Sequence, residues 1–104
     1  VLDDELGTGR TVGQLVDRLA EKHGIGEVHL GVSHNRCLPE CRQRLLDLHR
    51  RGLLTRVVVT NSIPQTPGFA ELPFVSVHCL SKTLARVVNR IHCDGSVSEV
   101  LATG

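Results

Sequence analysis

Two adjacent carboxylates, Asp3 and Asp4, follow an apolar start and run through Glu5 and Leu6 into Gly7-Thr8-Gly9-Arg10-Thr11, where a helical pattern opens. That order of residue types suits a sugar phosphate. Free amides and the positive dipole end of a helix N-terminus attract a phosphate, glycines let the backbone approach it, and the Thr8 and Thr11 hydroxyls add donors. Carboxylates just ahead of such a loop can accept hydrogen bonds from vicinal sugar hydroxyls or share a Mg²⁺ with them. The competing reading is an ordinary turn, in which Asp and Gly are common. Two threonines at the helix entry favour the phosphate cradle, and alternation along the strand can turn one of the two Asp side chains away from it.

Other candidates are weaker. His34, Cys37 and Cys41 have metal-like spacing without a fourth ligand, and Cys41 falls on an apolar helical stripe, so a structural thiol is the better reading. No metal site is assigned to them. His23, His29, His49, His78 and His92 belong to no constellation, and no catalytic residue can be named from the sequence.

These residues need elements to position them. Val12, Leu15, Val16 and Leu19 recur at helical spacing and predict a helix from about Thr11 to Lys22, closed by Gly24. Val28, Leu30 and Val32 alternate as a strand does. Pro39 suits the first turn of a second helix with the stripe Leu38, Cys41, Leu45 and Leu48, ending at Gly52. Arg56 to Thr60 is a continuous apolar run, which predicts a strand buried on both faces. After a Pro-rich connection, Val75 and Val77 predict a last strand, and Leu80, Leu84, Val87, Val88 and Ile91 a third helix. Strand alternating with helix points to a doubly wound, mostly parallel α/β sheet. Its ligand would sit at the carboxyl ends of the strands, where residues 3–11, 33–38 and 60–65 converge.

The acidic pair and Gly7–Thr11 loop resemble the phosphoribosyl diphosphate loop of the phosphoribosyltransferase fold. The segments Val57-Val58-Val59-Thr60-Asn61-Ser62-Ile63-Pro64-Gln65, Ala85 to His92, and Gly95-Ser96-Val97-Ser98-Glu99-Val100-Leu101 narrow this. Their order resembles the C-terminal half of the ribose-phosphate diphosphokinases, over nearly the whole chain. The resemblance implies a three-layer phosphoribosyltransferase-like domain, residues 1–104, with the enzyme's N-terminal lobe absent. It implies transfer of diphosphate from ATP to ribose 5-phosphate with Mg²⁺, for nucleotide biosynthesis. Asp3, Asp4, Gly7, Thr8, Gly9, Arg10 and Thr11 would bind ribose 5-phosphate, and ATP would bind through the absent lobe. Ser96, Val97 and Ser98 would contribute to a regulatory site for phosphate or ADP at a subunit boundary of a homo-oligomer. An isolated fragment would be inactive. Gly7 stands where this family usually has an acid, and Arg10 where it usually has glycine. The alternatives are a phosphoribosyltransferase that consumes phosphoribosyl diphosphate and a non-catalytic regulatory subunit of the diphosphokinase.

Composition bounds these readings. The chain has 104 residues and a formal net charge of +1, which gives no global case for nucleic acid or membrane. Charge is uneven: residues 36–56 hold six Arg against two acids, whereas residues 1–35 hold six acids against three bases. With Phe69 and Phe74 the only aromatic rings besides histidine, platforms for stacking single-stranded nucleic acid are lacking. Four cysteines are too few for a disulfide scaffold, and a reduced, cytoplasmic protein is expected.

Overall fold

The computed structural model describes residues 1–103. Its elements in chain order are β1 (Leu2–Leu6), α1 (Arg10–His23), β2 (His29–Asn35), α2 (Pro39–Arg50), β3 (Arg56–Thr60), α3 (Pro67–Ala70), β4 (Val75–His78), α4 (Ser81–His92) and α5 (Val97–Thr103). The four strands form one parallel sheet, as the strand–helix alternation predicts. Their order is β1-β2-β3-β4, with no reversal among the described residues. The described sheet is therefore wound in one direction, and it lacks the reversal in strand order that a doubly wound sheet has at its switch point.

Side-chain period decides where the core lies. Leu30 and Val32 on β2, and Val57 and Val59 on β3, share one face and are buried. Val12 and Val16 of α1 and Cys41, Leu45 and Leu48 of α2 cover that face, joined by Phe69, Leu72 and Phe74. The opposite face carries Leu2, Gly31 and Val58 in register. There Val58 is 42% exposed and Leu2 91%, which corrects the expectation that the β3 run is buried on both sides. An unbroken apolar run signals a covered strand, but nothing among the described residues packs over this face of it.

Helix ends follow local chemistry. α1 begins after Gly9 (φ 79°) and stops at Gly24 (φ 61°), both left-handed positions that glycine takes without the Cβ penalty. Lys22 and His23 occupy its last turn, where positive charge complements the dipole. α2 opens on Pro39, with φ preset for a helix. The short α3 also opens on a proline, Pro67, inside the Pro-rich connection, where the sequence predicts no element.

α4 forms where its stripe predicts, yet none of its residues is buried: Leu84, Val88 and Ile91 are all more than half exposed. It packs mainly against α5, through the buried Val100. The molecule is consequently elongated, 51 × 30 × 20 Å, with a radius of gyration of 16.1 Å, where about 13 Å is usual at this length. No helix among the described residues is long and apolar enough to cross a membrane.

Candidate functional site

The predicted convergence of three loops is present, and hydrogen bonds fasten it. The amide of Arg36 donates to the Leu6 carbonyl at 3.1 Å, which ties the end of β2 to the end of β1. The side chain of Asn35, fully buried, donates to Gln65 Oε1 at 2.8 Å, while Gln65 Nε2 returns bonds to the carbonyls of Asn35 (3.2 Å) and Ile63 (2.8 Å). Thr60 and Ser62 hydroxyls both donate to the Ser33 carbonyl, at 2.5 and 2.9 Å. His34 Nδ1 lies 2.7 Å from Ser62 Oγ. These bonds lock the second and third loops together at one sheet edge.

Asn35 also shapes the following turn. Its Oδ1 accepts the Cys37 amide at 3.1 Å and so holds Cys37 at φ 59°, a conformation rare outside glycine, asparagine and aspartate. The Cys37 thiol points back into the same network, 3.3 Å from Gln65 Oε1. Cys41 is buried in the core, and desolvation pushes its thiol up to about 12 despite the opposing charge of Arg44. Both thiols thus behave as structural groups. Among the described residues no cluster of three or more His, Cys, Asp or Glu side chains is arranged to hold a metal.

The Gly7–Thr11 loop rests directly on α2. A Cβ placed on Gly9 would come within 3.2 Å of Cys41 Sγ and 3.5 Å of its Cα. Glycine is required there twice over, by the positive φ and by the space. Arg44 Nη1 donates to the Thr8 carbonyl at 2.6 Å. No side chain closely caps the N-terminus of α1; the nearest donor pairing is a long 3.4 Å contact from the Arg10 amide to Thr8 Oγ1. The amides of Gly7, Thr8, Gly9, Thr11 and Val12 donate to no acceptor among the described residues, and so remain available to an anion.

This loop lines a cleft of about 340 Å³ together with Asp3, Glu5 and Leu6. Every residue of the expected binding set except Asp4 therefore lines it. β1 extends to Leu6, so the acids lie within the strand and the pleat separates them. The pleat sets Asp4 on the other side of β1 from Asp3 and Glu5, and Asp3 Oδ1 accepts the Asp4 amide at 2.8 Å. Glu5, two residues beyond Asp3, is the carboxylate that sequence reasoning passed over. Period two along β1 was the available signal. Arg36 faces Glu5 at 3.7 Å, and its Nη1 lies 3.9 Å from where a Gly7 Cβ would be.

Ser96, Val97 and Ser98 lie at the start of α5, more than thirty residues of sequence beyond the last of the three loops, with both serines exposed. The nearby cleft between α4 and α5, about 650 Å³, is lined by Arg86, Asn89, Arg90, Glu99 and Val100 rather than by the serines. Arg90 and Glu99 meet across it at 3.5 Å.

No family model matches the chain. It is 31% identical over 100 residues to a ribose-phosphate pyrophosphokinase of Prochlorococcus marinus, a match that covers 96% of this chain and 29% of that protein. A ribose-phosphate pyrophosphokinase of Parasynechococcus marenigrum is 34% identical over 102 residues, again 29% of its length. The chain thus spans less than a third of the curated relatives it matches. The fold superposes on a crystal structure of phosphoribosylpyrophosphate synthetase from Mycobacterium smegmatis with a TM-score of 0.78 and 26% identity, over 90% of this chain and 30% of that one. The α/β fold is accordingly phosphoribosyltransferase-like.

Proposed function

We propose that this segment, similar along nearly its whole length to ribose-phosphate pyrophosphokinases, is the C-terminal, ribose 5-phosphate-binding part of an enzyme of that activity. The observation that carries the reading is the loop at the head of α1. Its amides lack protein acceptors, its Gly9 is seated on α2, and carboxylates of β1 stand beside it. In that reading the amides and the Thr8 and Thr11 hydroxyls take the 5-phosphate, and Asp3, with Asp4 on the neighbouring pleat, takes ribose hydroxyls. The parent enzyme would then move the diphosphoryl group of ATP to O1 of the sugar and release AMP, with ATP bound outside this segment. Catalysis here is positioning and charge stabilisation, the usual demands of phosphoryl transfer.

Exposed carboxylates without a closed cage fit Mg²⁺, which keeps much of its water and binds one or two carboxylates together with substrate oxygens. Asp3 and Glu5 would hold it, and the ion would neutralise phosphate charge. The exposed apolar residues Leu84, Val88 and Ile91 of α4 support a homo-oligomeric parent, since such a patch commonly marks an interaction surface. Ser96 to Ser98, beside the cationic α4–α5 cleft, would contribute to an effector site for phosphate or ADP.

A second reading, a non-catalytic subunit of the same enzyme, is favoured by one contact. Gly7 stands where the family usually has an acid, and Arg36 lies over that position. The experiment that decides uses the full-length protein with ATP, Mg²⁺ and ribose 5-phosphate. AMP formation supports the diphosphokinase. Release of diphosphate from phosphoribosyl diphosphate and a nucleobase would establish the transferase instead, and binding of ribose 5-phosphate without turnover the regulatory subunit. Thr8→Val and Thr11→Val should each weaken ribose 5-phosphate binding by about 1.5 to 3 kcal/mol, the range for a hydrogen bond to a charged group. Unchanged calorimetric affinity in the double variant would reject the cradle.

A further inference from the structure

Arg44 sits on α2, yet its guanidinium serves the loop in front of α1. It leans along the groove between α1 and α2 and ends 2.6 Å from the Thr8 carbonyl. It makes no salt bridge with any described residue, and Asp47, one turn along, is bonded to Gln43 instead. The guanidinium is thus committed to one backbone oxygen.

That commitment has a geometric consequence. The chain has no cis peptide bonds, and across a trans peptide the carbonyl and the next N–H point in opposite directions. Drawing the Thr8 oxygen toward the α1–α2 groove therefore turns the Gly9 N–H the other way. Gly9 itself cannot slide, because it is buried with Cys41 on one side and the Arg44 Cβ 3.7 Å from where its own Cβ would be. α1 has no side-chain cap, and no other side chain among the described residues holds this carbonyl. Left free, the carbonyl could rotate toward the cleft, where its negative end would repel an anion.

We propose that Arg44 is a positioning residue of the phosphate loop: it holds the Thr8 carbonyl away from the cleft and aims the Gly9 amide into it. The proposal rests on the reading of residues 7–11 as a phosphate cradle and adds to it a residue from α2, outside the loop. A contact of this kind matters to a phosphorylated ligand and not to the sugar alone.

The test uses the full-length protein and Arg44→Met, which keeps the apolar stem packed near Cys41 and removes only the guanidinium. Calorimetry should show ribose 5-phosphate binding weakened about tenfold, and ribose binding unchanged. In protein labelled with ¹⁵N-glycine, inorganic phosphate should shift the Gly9 amide in the wild type and much less in the variant. The tenfold ratio should persist at about 1 M salt, where screening acts within about 3 Å and removes the effect of a merely nearby charge. Equal affinities in wild type and variant, or a ratio that vanishes at high salt, would overturn the role given to Arg44. If the wild type binds ribose 5-phosphate no better than ribose, the cradle itself is wrong, a failure separable from that of Arg44 alone. Arg44→Lys gives a second variant should Arg44→Met fold poorly. An ammonium that restores affinity without restoring the Gly9 shift would likewise reject positioning in favour of charge.

Discussion

The loop-bearing sheet edge and the α4–α5 arm are built from similar amounts of chain and are held in opposite ways. At the sheet edge, part-buried side-chain hydrogen bonds between Asn35 and Gln65 join the second and third loops, a backbone bond from Arg36 to Leu6 ties in the first, and a glycine of that first loop is wedged on Cys41. In the arm, Val100 alone is buried among the described residues, and the apolar stripe of α4 faces outward. The difference separates geometry fixed by internal contacts from apolar surface left exposed. A phosphate cradle must be rigid before its ligand arrives, since a loop ordered on binding gives up affinity to entropy. An apolar arm has no such requirement.

The largest effect expected at the rigid end is a pH dependence. Burial raises the Cys41 thiol from an ordinary 9.0 to about 12. Above 9 the unfolded chain loses this proton while the folded chain keeps it, so the contribution is fully present below pH 9 and is lost as pH rises toward 12. The loss amounts to at most about 4 kcal/mol. Chemical denaturation from pH 8 upward should show a slope steeper in the wild type than in Cys41→Ala. Identical slopes would mean that Cys41 is not sealed beneath the loop.

Gly9→Ala should come next, at about 3 kcal/mol, combining the strain of a Cβ at positive φ with overpacking against Cys41. Loss of phosphate binding should accompany it, read by denaturation and calorimetry on the same sample. A stable variant with intact binding would show that the loop can lift from α2. Asn35→Ala should cost about 2 kcal/mol, because it strands Gln65 and frees the Cys37 turn. Hydrogen exchange should then rise in residues 60–65 as well as in 35–38. Exchange confined to 35–38 would mean that the loops are held independently.

What was legible in the sequence tracks this same division. Periodicity marks α1, α2 and β2, and an unbroken apolar run marks β3, because apolar residues there pack on one another within the chain. The glycine and proline boundaries at Gly24, Gly52 and Pro39 were readable because each has a backbone reason. Convergence of the three loops followed from parallel topology. The pairing of Asn35 with Gln65 did not, since a buried amide and an exposed one look alike in sequence. The exposure of Val58 runs against the sequence expectation for a related reason: pattern marks which face is apolar, not whether anything covers it. Glu5 is not legible from adjacency, which singles out the pair Asp3-Asp4, whereas a strand places residues two apart on one side.

The smallest effect belongs to the arm, in a substitution that matches Gly9→Ala in chemistry. A Cβ on Gly95 would meet Arg90 Cδ at 2.8 Å, a closer approach than any at Gly9. Distance alone would rank it the worse change. The tight contacts differ in kind, however: at Gly9 the nearest atom is the sulfur of a buried cysteine, and at Gly95 it is the flexible stem of an Arg whose side chain is 45% exposed, with backbone at an ordinary 3.5 Å in both cases. Gly95 also lacks a positive φ, so alanine meets no backbone strain. Arg90 can swing aside at the cost of its 3.5 Å pairing with Glu99, an exposed ion pair of the kind worth about 0.2 to 1 kcal/mol. Gly95→Ala should therefore destabilise by less than about 1 kcal/mol and leave ribose 5-phosphate affinity unchanged. The check is thermal unfolding beside calorimetry, with Gly9→Ala run in parallel. Equal costs at the two glycines would refute the contrast between a fixed cradle and a yielding arm, because the α4–α5 turn would then be as firmly set as the loop on α2.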